Sequence, residues 1–94
     1  MKNDLEKTAE IFKALSSPTR LKIVVGLLEK HECNVNKMAE CLGIAQPNVS
    51  QHLTILKSAG IIEGYRKGNQ ICYKVVDEFV IKTVKNMEKD NDCN

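Results

Sequence analysis

Gln46, Asn48, Ser50, Gln51, Thr54 and Lys57 crowd hydrogen-bonding side chains into one short stretch. If Val49, Leu53 and Leu56 turn inward as one stripe of a helix, the helical period leaves those residues on the outer face. That face is polar but hardly charged. Amides and hydroxyls match the donor and acceptor pattern of base edges, and Gln or Asn can pair bidentately with adenine. A merely solvated helix more often carries Lys and Glu. The chemistry expected of this stretch is recognition of double-stranded DNA, with Gln46–Ser58 as the recognition helix. Pro47 at its start leaves an unobstructed helix N-terminus, where free N–H groups and the helix dipole favour phosphate. His52 lies beside Leu53 and has two readings: a half-buried imidazole bonded to backbone, or a phosphate contact.

A second group is basic. Arg66 and Lys67 stand with Gly68 and Asn69 at the tip of an expected hairpin, a composition that suits contact with phosphates or a minor groove. Lys57, Arg66, Lys67 and Lys74 face only Glu63 in residues 46–74, whereas residues 75–94 are acidic on balance; the net charge of +2 conceals this asymmetry.

The third group is the thiols Cys33, Cys41, Cys72 and Cys93. None forms a Cys-x-x-Cys pair, so neither a zinc ribbon nor a thioredoxin-type motif is present. No apolar run reaches the roughly 20 residues of a membrane span, and Met1-Lys2-Asn3-Asp4 has no signal-peptide pattern. The expectation is a cytoplasmic protein with reduced thiols. A thiol enzyme would need a cysteine paired with a base. The histidines are His31 and His52, and neither has an evident cysteine partner, so no enzyme is expected. A domain of this kind used for protein contacts alone would show apolar or acidic residues on the outer face of the Gln46–Ser58 helix; the residues named above are neither.

These groups need elements to hold them. The 94 residues make one domain, 1–94, with about 90–94 expected as a flexible tail, and 43% hydrophobic residues suffice for an aliphatic core. Leu5, Thr8, Ala9, Phe12 and Leu15 mark a first helix at about 3–15. Ser17-Pro18 is a helix start, and Leu21, Val24, Val25 and Leu28, widened by Ile23 and Leu27, make a central second helix at about 18–30. Asn34 caps a third helix carrying Val35, Met38, Ala39 and Leu42, with Gly43 as its left-handed stop. The fourth runs to about Ser58 and stops at Gly60. Glu63–Arg66, a turn at Lys67-Gly68-Asn69 and Gln70–Val76 form a hairpin in which Ile71, Tyr73 and Val75 alternate. Val80, Thr83, Val84 and Met87 mark a last helix at about 77–90. The expected fold is mainly α with a β-hairpin wing, in the order α-α-α-α-β-β-α. Within it, residues 35–56 have the footprint of a helix-turn-helix: small Ala39 at the helix approach, Gly43 at the turn, and Met38, Leu42, Ile44 and Val49 around it.

The segments Ala14-Leu15-Ser16-Ser17-Pro18-Thr19-Arg20-Leu21-Lys22-Ile23, Met38–Ile44 and Gln46-Pro47-Asn48-Val49-Ser50-Gln51-His52-Leu53, continued by Leu56–Ile62 and Gly68–Tyr73, resemble the ArsR/SmtB family of winged-helix repressors over about residues 8–90. The resemblance implies a homodimer through the first and last helices, Gln46, Ser50 and Gln51 on bases, and repression of an operator until an effector releases the protein. It also exposes departures. Asn34-Val35-Asn36 stands where the family's arsenic and cadmium sensors carry Cys-Val-Cys. Asp77 matches one zinc ligand of the last helix, but Phe79, Asp90 and Cys93 replace the other three. Members that sense persulfide carry a cysteine near the end of the last helix, as Cys93 does, but their second cysteine falls at Val25. No metal or cofactor is therefore expected to reside in the protein. A thiol switch through Cys33 and Cys93, or a soft-metal site using both with His31, is the sensor the residues leave open, with Cys41 as helix filler and Cys72 as a hairpin residue.

Overall fold

The computed structural model describes residues 2–29 and 34–92. Its elements are α1 (Lys2–Leu15), α2 (Pro18–Glu29), α3 (Val35–Leu42), α4 (Gln46–Ser58), β1 (Ile62–Lys67), β2 (Gln70–Val75) and α5 (Glu78–Asp92), the order expected from the sequence. The last helix continues past its expected end at about residue 90. Cys33, Cys93 and His31, the residues of the expected sensor, lie outside the described residues.

Local chemistry sets the helix starts. The Ser17 hydroxyl accepts from the Arg20 N–H at 3.3 Å and Pro18 opens α2. Asn34, in extended backbone, accepts from the Lys37 N–H at 2.8 Å and caps α3. The Asp77 carboxylate accepts from the Val80 N–H at 2.9 Å at the start of α5. The residue that matches a zinc ligand of the resembling family thus has a capping task here.

The turn between α3 and α4 is made by Gly43 at φ +70°, a conformation that L side chains rarely adopt. Its N–H and that of Ile44 both return to the Ala39 carbonyl, at 2.9 and 3.2 Å, which satisfies the end of α3 and redirects the chain at once into α4.

The core is aliphatic. Val24 from α2, Val49, Leu53 and Leu56 from α4, Ile61 and Ile62 after it, and Val80 and Val84 from α5 are closed from solvent and pack as one cluster with Ile11, Ala14, Ile23, Leu27 and Met38. Full burial of such side chains contributes about 1.5–3 kcal/mol each. Two expected stripes are oriented differently. In α1 the buried residues are Ile11 and Ala14, while Leu5 and Phe12 are 69% and 57% exposed. In β2, Tyr73 and Val75 pack against the core as the alternation predicts, but the most deeply buried residue of the strand is Cys72 and Ile71 is exposed.

The two strands pair antiparallel from Ile62 opposite Val75 to Lys67 opposite Gln70. The turn is therefore shorter than expected. Lys67 belongs to β1, and Gly68-Asn69 alone span the tip, with Gly68 at φ +64°. A glycine there lets two residues reverse the chain without strain.

Candidate nucleic-acid interface

Burial fixes the rotation of α4. Val49, Leu53 and Leu56 are its buried residues. The opposite side presents Gln46, Pro47, Asn48, Ser50, Gln51, Thr54 and Lys57, all exposed, as the sequence places them. The helix begins at extended Ala45 with no side-chain cap, so its N-terminal turn carries no side-chain partner. Lys57 sits in the last turn, where a cation complements the helix dipole.

The face is partly engaged already. Gln46 donates its side-chain amide to Asn36 Oδ1 on α3. The Thr54 hydroxyl donates to the Ser50 carbonyl at 3.0 Å, which leaves its oxygen to accept. Gln51 occupies the middle of the outer face. Ile55, 42% exposed, interrupts the polar surface beside it. An apolar group there can meet a thymine methyl.

His52 corrects one expectation. It is half-buried, but its Nδ1 lies 3.2 Å from Arg20 Nη1, so its partner is a side chain of α2 and not backbone.

Arg66, Lys67 and Asn69 are exposed at and beside the hairpin tip, and Lys74 adds a cation on the neighbouring strand, 5.8 Å from the centre of the Tyr65 ring. The wing is tied to the helix-turn-helix beside its tip, at the first residue of β2. Asn34 Nδ2 donates to Gln70 Oε1 at 3.0 Å, while Asn34 Oδ1 caps α3. A pair of amides thus links α3 to the wing, and a second, Asn36–Gln46, links it to α4. These are the asparagines that stand in place of the family's thiolates.

Sequence reasoning missed Arg20, Asn36, Asn34 in its second role, and Ile55. Arg20 lies inside a segment already singled out, but spacing carries no sign of a partner 32 residues away. Ile55 was legible from the helical period alone. Among the described residues no three His, Cys, Asp or Glu side chains gather to hold a metal ion. Cys41 is exposed on α3, lining a cleft of about 340 Å³ with Leu21, Val25, Met38 and Leu42, and does not fill the core. No described helix is long and apolar enough to cross a membrane.

Comparison with known proteins bears on this geometry. Residues 17–64 match the family described as bacterial regulatory protein, arsR family. The HTH-type transcriptional repressor SmtB of Mycobacterium tuberculosis is 39% identical over 80 residues, which cover 85% of this chain and 58% of that protein. The chain thus spans little more than half the length of that relative. An HTH-type transcriptional regulator of Methanocaldococcus jannaschii is 44% identical over 80 residues, 85% of this chain and 90% of that one. Among solved structures, the transcriptional repressor PagR of Bacillus anthracis superposes with a TM-score of 0.83 at 33% identity, covering 93% of this chain and 99% of that chain. A homodimeric winged helix-turn-helix DNA-binding domain from Mycobacterium bovis does so with a TM-score of 0.82 at 28% identity, covering 97% and 83%.

Proposed function

The chain belongs to the arsR family of bacterial regulatory proteins, and on that premise we propose that it is a homodimeric transcriptional repressor that reads an operator palindrome with α4 and grips the flanking backbone with its wing. The observation that carries this reading is the outer face of α4. It is a surface of amides and hydroxyls, fixed in rotation by Val49, Leu53 and Leu56, beside a hairpin tipped by Arg66 and Lys67. Gln51, Ser50 and Gln46 discriminate bases; Lys57, Arg66 and Lys67 contribute the salt-sensitive, sequence-independent part of the affinity.

A second surface supports the dimer. Leu5 and Phe12 of α1 and Phe79 and Met87 of α5 are exposed apolar side chains. The Phe12 and Phe79 rings meet edge-on with centroids 5.7 Å apart and still face solvent. An apolar patch of this kind marks an interaction surface. A second copy related by a twofold axis covers it with the same residues and sets two recognition helices on half-sites about one helical turn apart.

The test is enrichment of duplexes from a randomised pool by the purified protein. The expected product is an imperfect palindrome protected by one dimer, with binding that weakens steeply as salt rises. Recovery of no common sequence would reject the assignment.

A further inference from the structure

Arg20 is the third residue of α2, and its guanidinium reaches two other helices. Nε donates to the Ala14 carbonyl near the end of α1 at 2.5 Å. Nη1 lies 3.2 Å from Nδ1 of His52 on α4. The first acceptor is one of the last carbonyls of α1, which have no partner within their own helix and sit at the negative end of its dipole. The second acceptor has a chemical consequence. A guanidinium has only donors, so Nδ1 must accept, and the ring proton must sit on Nε2.

We infer that Arg20 is a positioning residue for the recognition helix: it locks the His52 ring with Nε2–H left free as a donor to a DNA backbone phosphate. The inference rests on the DNA-binding reading given above. His52 occupies the boundary of α4, between the buried stripe of Val49, Leu53 and Leu56 and the outer residues Asn48 and Ile55. A donor at that edge suits the sugar–phosphate wall of a groove better than its floor, where Gln51 projects. Arg20 and His52 are both partly buried, so their orientation is held against solvent competition. The planar fork of arginine satisfies two acceptors in fixed directions, which the single ammonium of a lysine does not reproduce. One side chain thus ties α1, the start of α2 and α4 together, and makes the fit of α4 to DNA depend on the α1–α2 corner.

The experiment uses the dimeric full chain and a duplex enriched by it from a randomised pool. Imidazole nitrogen spectra of the DNA-free protein, with His31→Gln to distinguish the other histidine, should show His52 with its proton on Nε2. Arg20→Lys should yield a mixture of tautomers. The same substitution keeps the charge and should leave the salt dependence of binding unchanged, yet weaken the enriched duplex about tenfold. In a His52→Phe background, Arg20→Lys should cost less than about twofold, because the group it positions is gone. The inference is overturned if Arg20→Lys leaves the His52 tautomer as in the wild type, or if its cost is the same with and without His52. If Arg20→Lys fails to fold, His52→Phe alone decides: it keeps the Arg20–Ala14 bond and should itself lose about tenfold, and wild-type binding overturns the inference. Should the wild type enrich no duplex, the DNA-binding reading fails and the phosphate role fails with it, while the tautomer spectra still decide whether Arg20 orients His52.

Discussion

Two helical surfaces of this protein are left open, and they differ in kind. The outer face of α4 offers Gln46, Asn48, Ser50, Gln51 and Thr54; the faces of α1 and α5 offer Leu5, Phe12, Phe79 and Met87. The first is costly to bury against anything that does not return its hydrogen bonds. The second gains from burial against any complementary apolar surface. Amides exposed on a helix whose rotation is fixed by three closed core residues can discriminate between partners. Exposed aromatic and aliphatic groups bind firmly but discriminate poorly. On the proposed reading the first surface reads DNA and the second assembles the dimer, and each can be broken without the other.

The largest effect is expected at the assembly face. Phe12→Glu would place a charge on each side of a twofold contact, and an unpaired charge there costs several kcal/mol. The dimer should dissociate at least about 100-fold more readily, seen by sedimentation, and operator binding should fall with it. Circular dichroism should be unchanged, since the side chain is 57% exposed. A dimer that survives Phe12→Glu would locate assembly elsewhere.

At the reading face the change should be in preference. Gln51→Ala is expected to cost about 1–3 kcal/mol on the enriched duplex and to relax selection at one position of each half-site, while sedimentation stays that of a dimer. An unchanged preference would remove Gln51 from the base readers. Asn36→Ala sharpens the same point more gently. It frees the Gln46 amide from its partner on α3. Loss of one exposed hydrogen bond costs at most about 1 kcal/mol of stability, but the base preferred at the Gln46 position should broaden in a repeated enrichment. Retained preference would show that Gln46 is oriented without Asn36.

The smallest effect belongs to the wing. Lys67→Ala should weaken enriched and unrelated duplexes by the same factor and reduce the slope of log affinity against log salt by about 1. A change in sequence preference instead would make the wing a reader as well as a grip.

Much of this is legible in the sequence. The apolar spacing of 3.6 residues, the Ser17-Pro18 start, the Asn34 cap and the Gly43 stop fix the element order and the rotation of α4, because helical period and capping are decided within a few residues of chain. The outer residues of α4 follow from that rotation. The apolar stripe of α1 misleads for a physical reason. This helix is apolar on two sides, with Ile11 and Ala14 in the core and Leu5 and Phe12 exposed, and periodicity cannot say which side is buried. The tip of the hairpin differs by one residue for a related reason, since register is set by pairing across strands and Lys67 finds Gln70.

The sequence by itself therefore determined the helix-turn-helix, its register and the exposed polar face of α4. Only the tertiary structure decided which polar groups hold one another: Arg20 with Ala14 and His52, Asn36 with Gln46, and Asn34 with Gln70. Each of those bonds joins residues of different elements, so their meeting depends on how helices and hairpin pack and leaves no trace in local spacing.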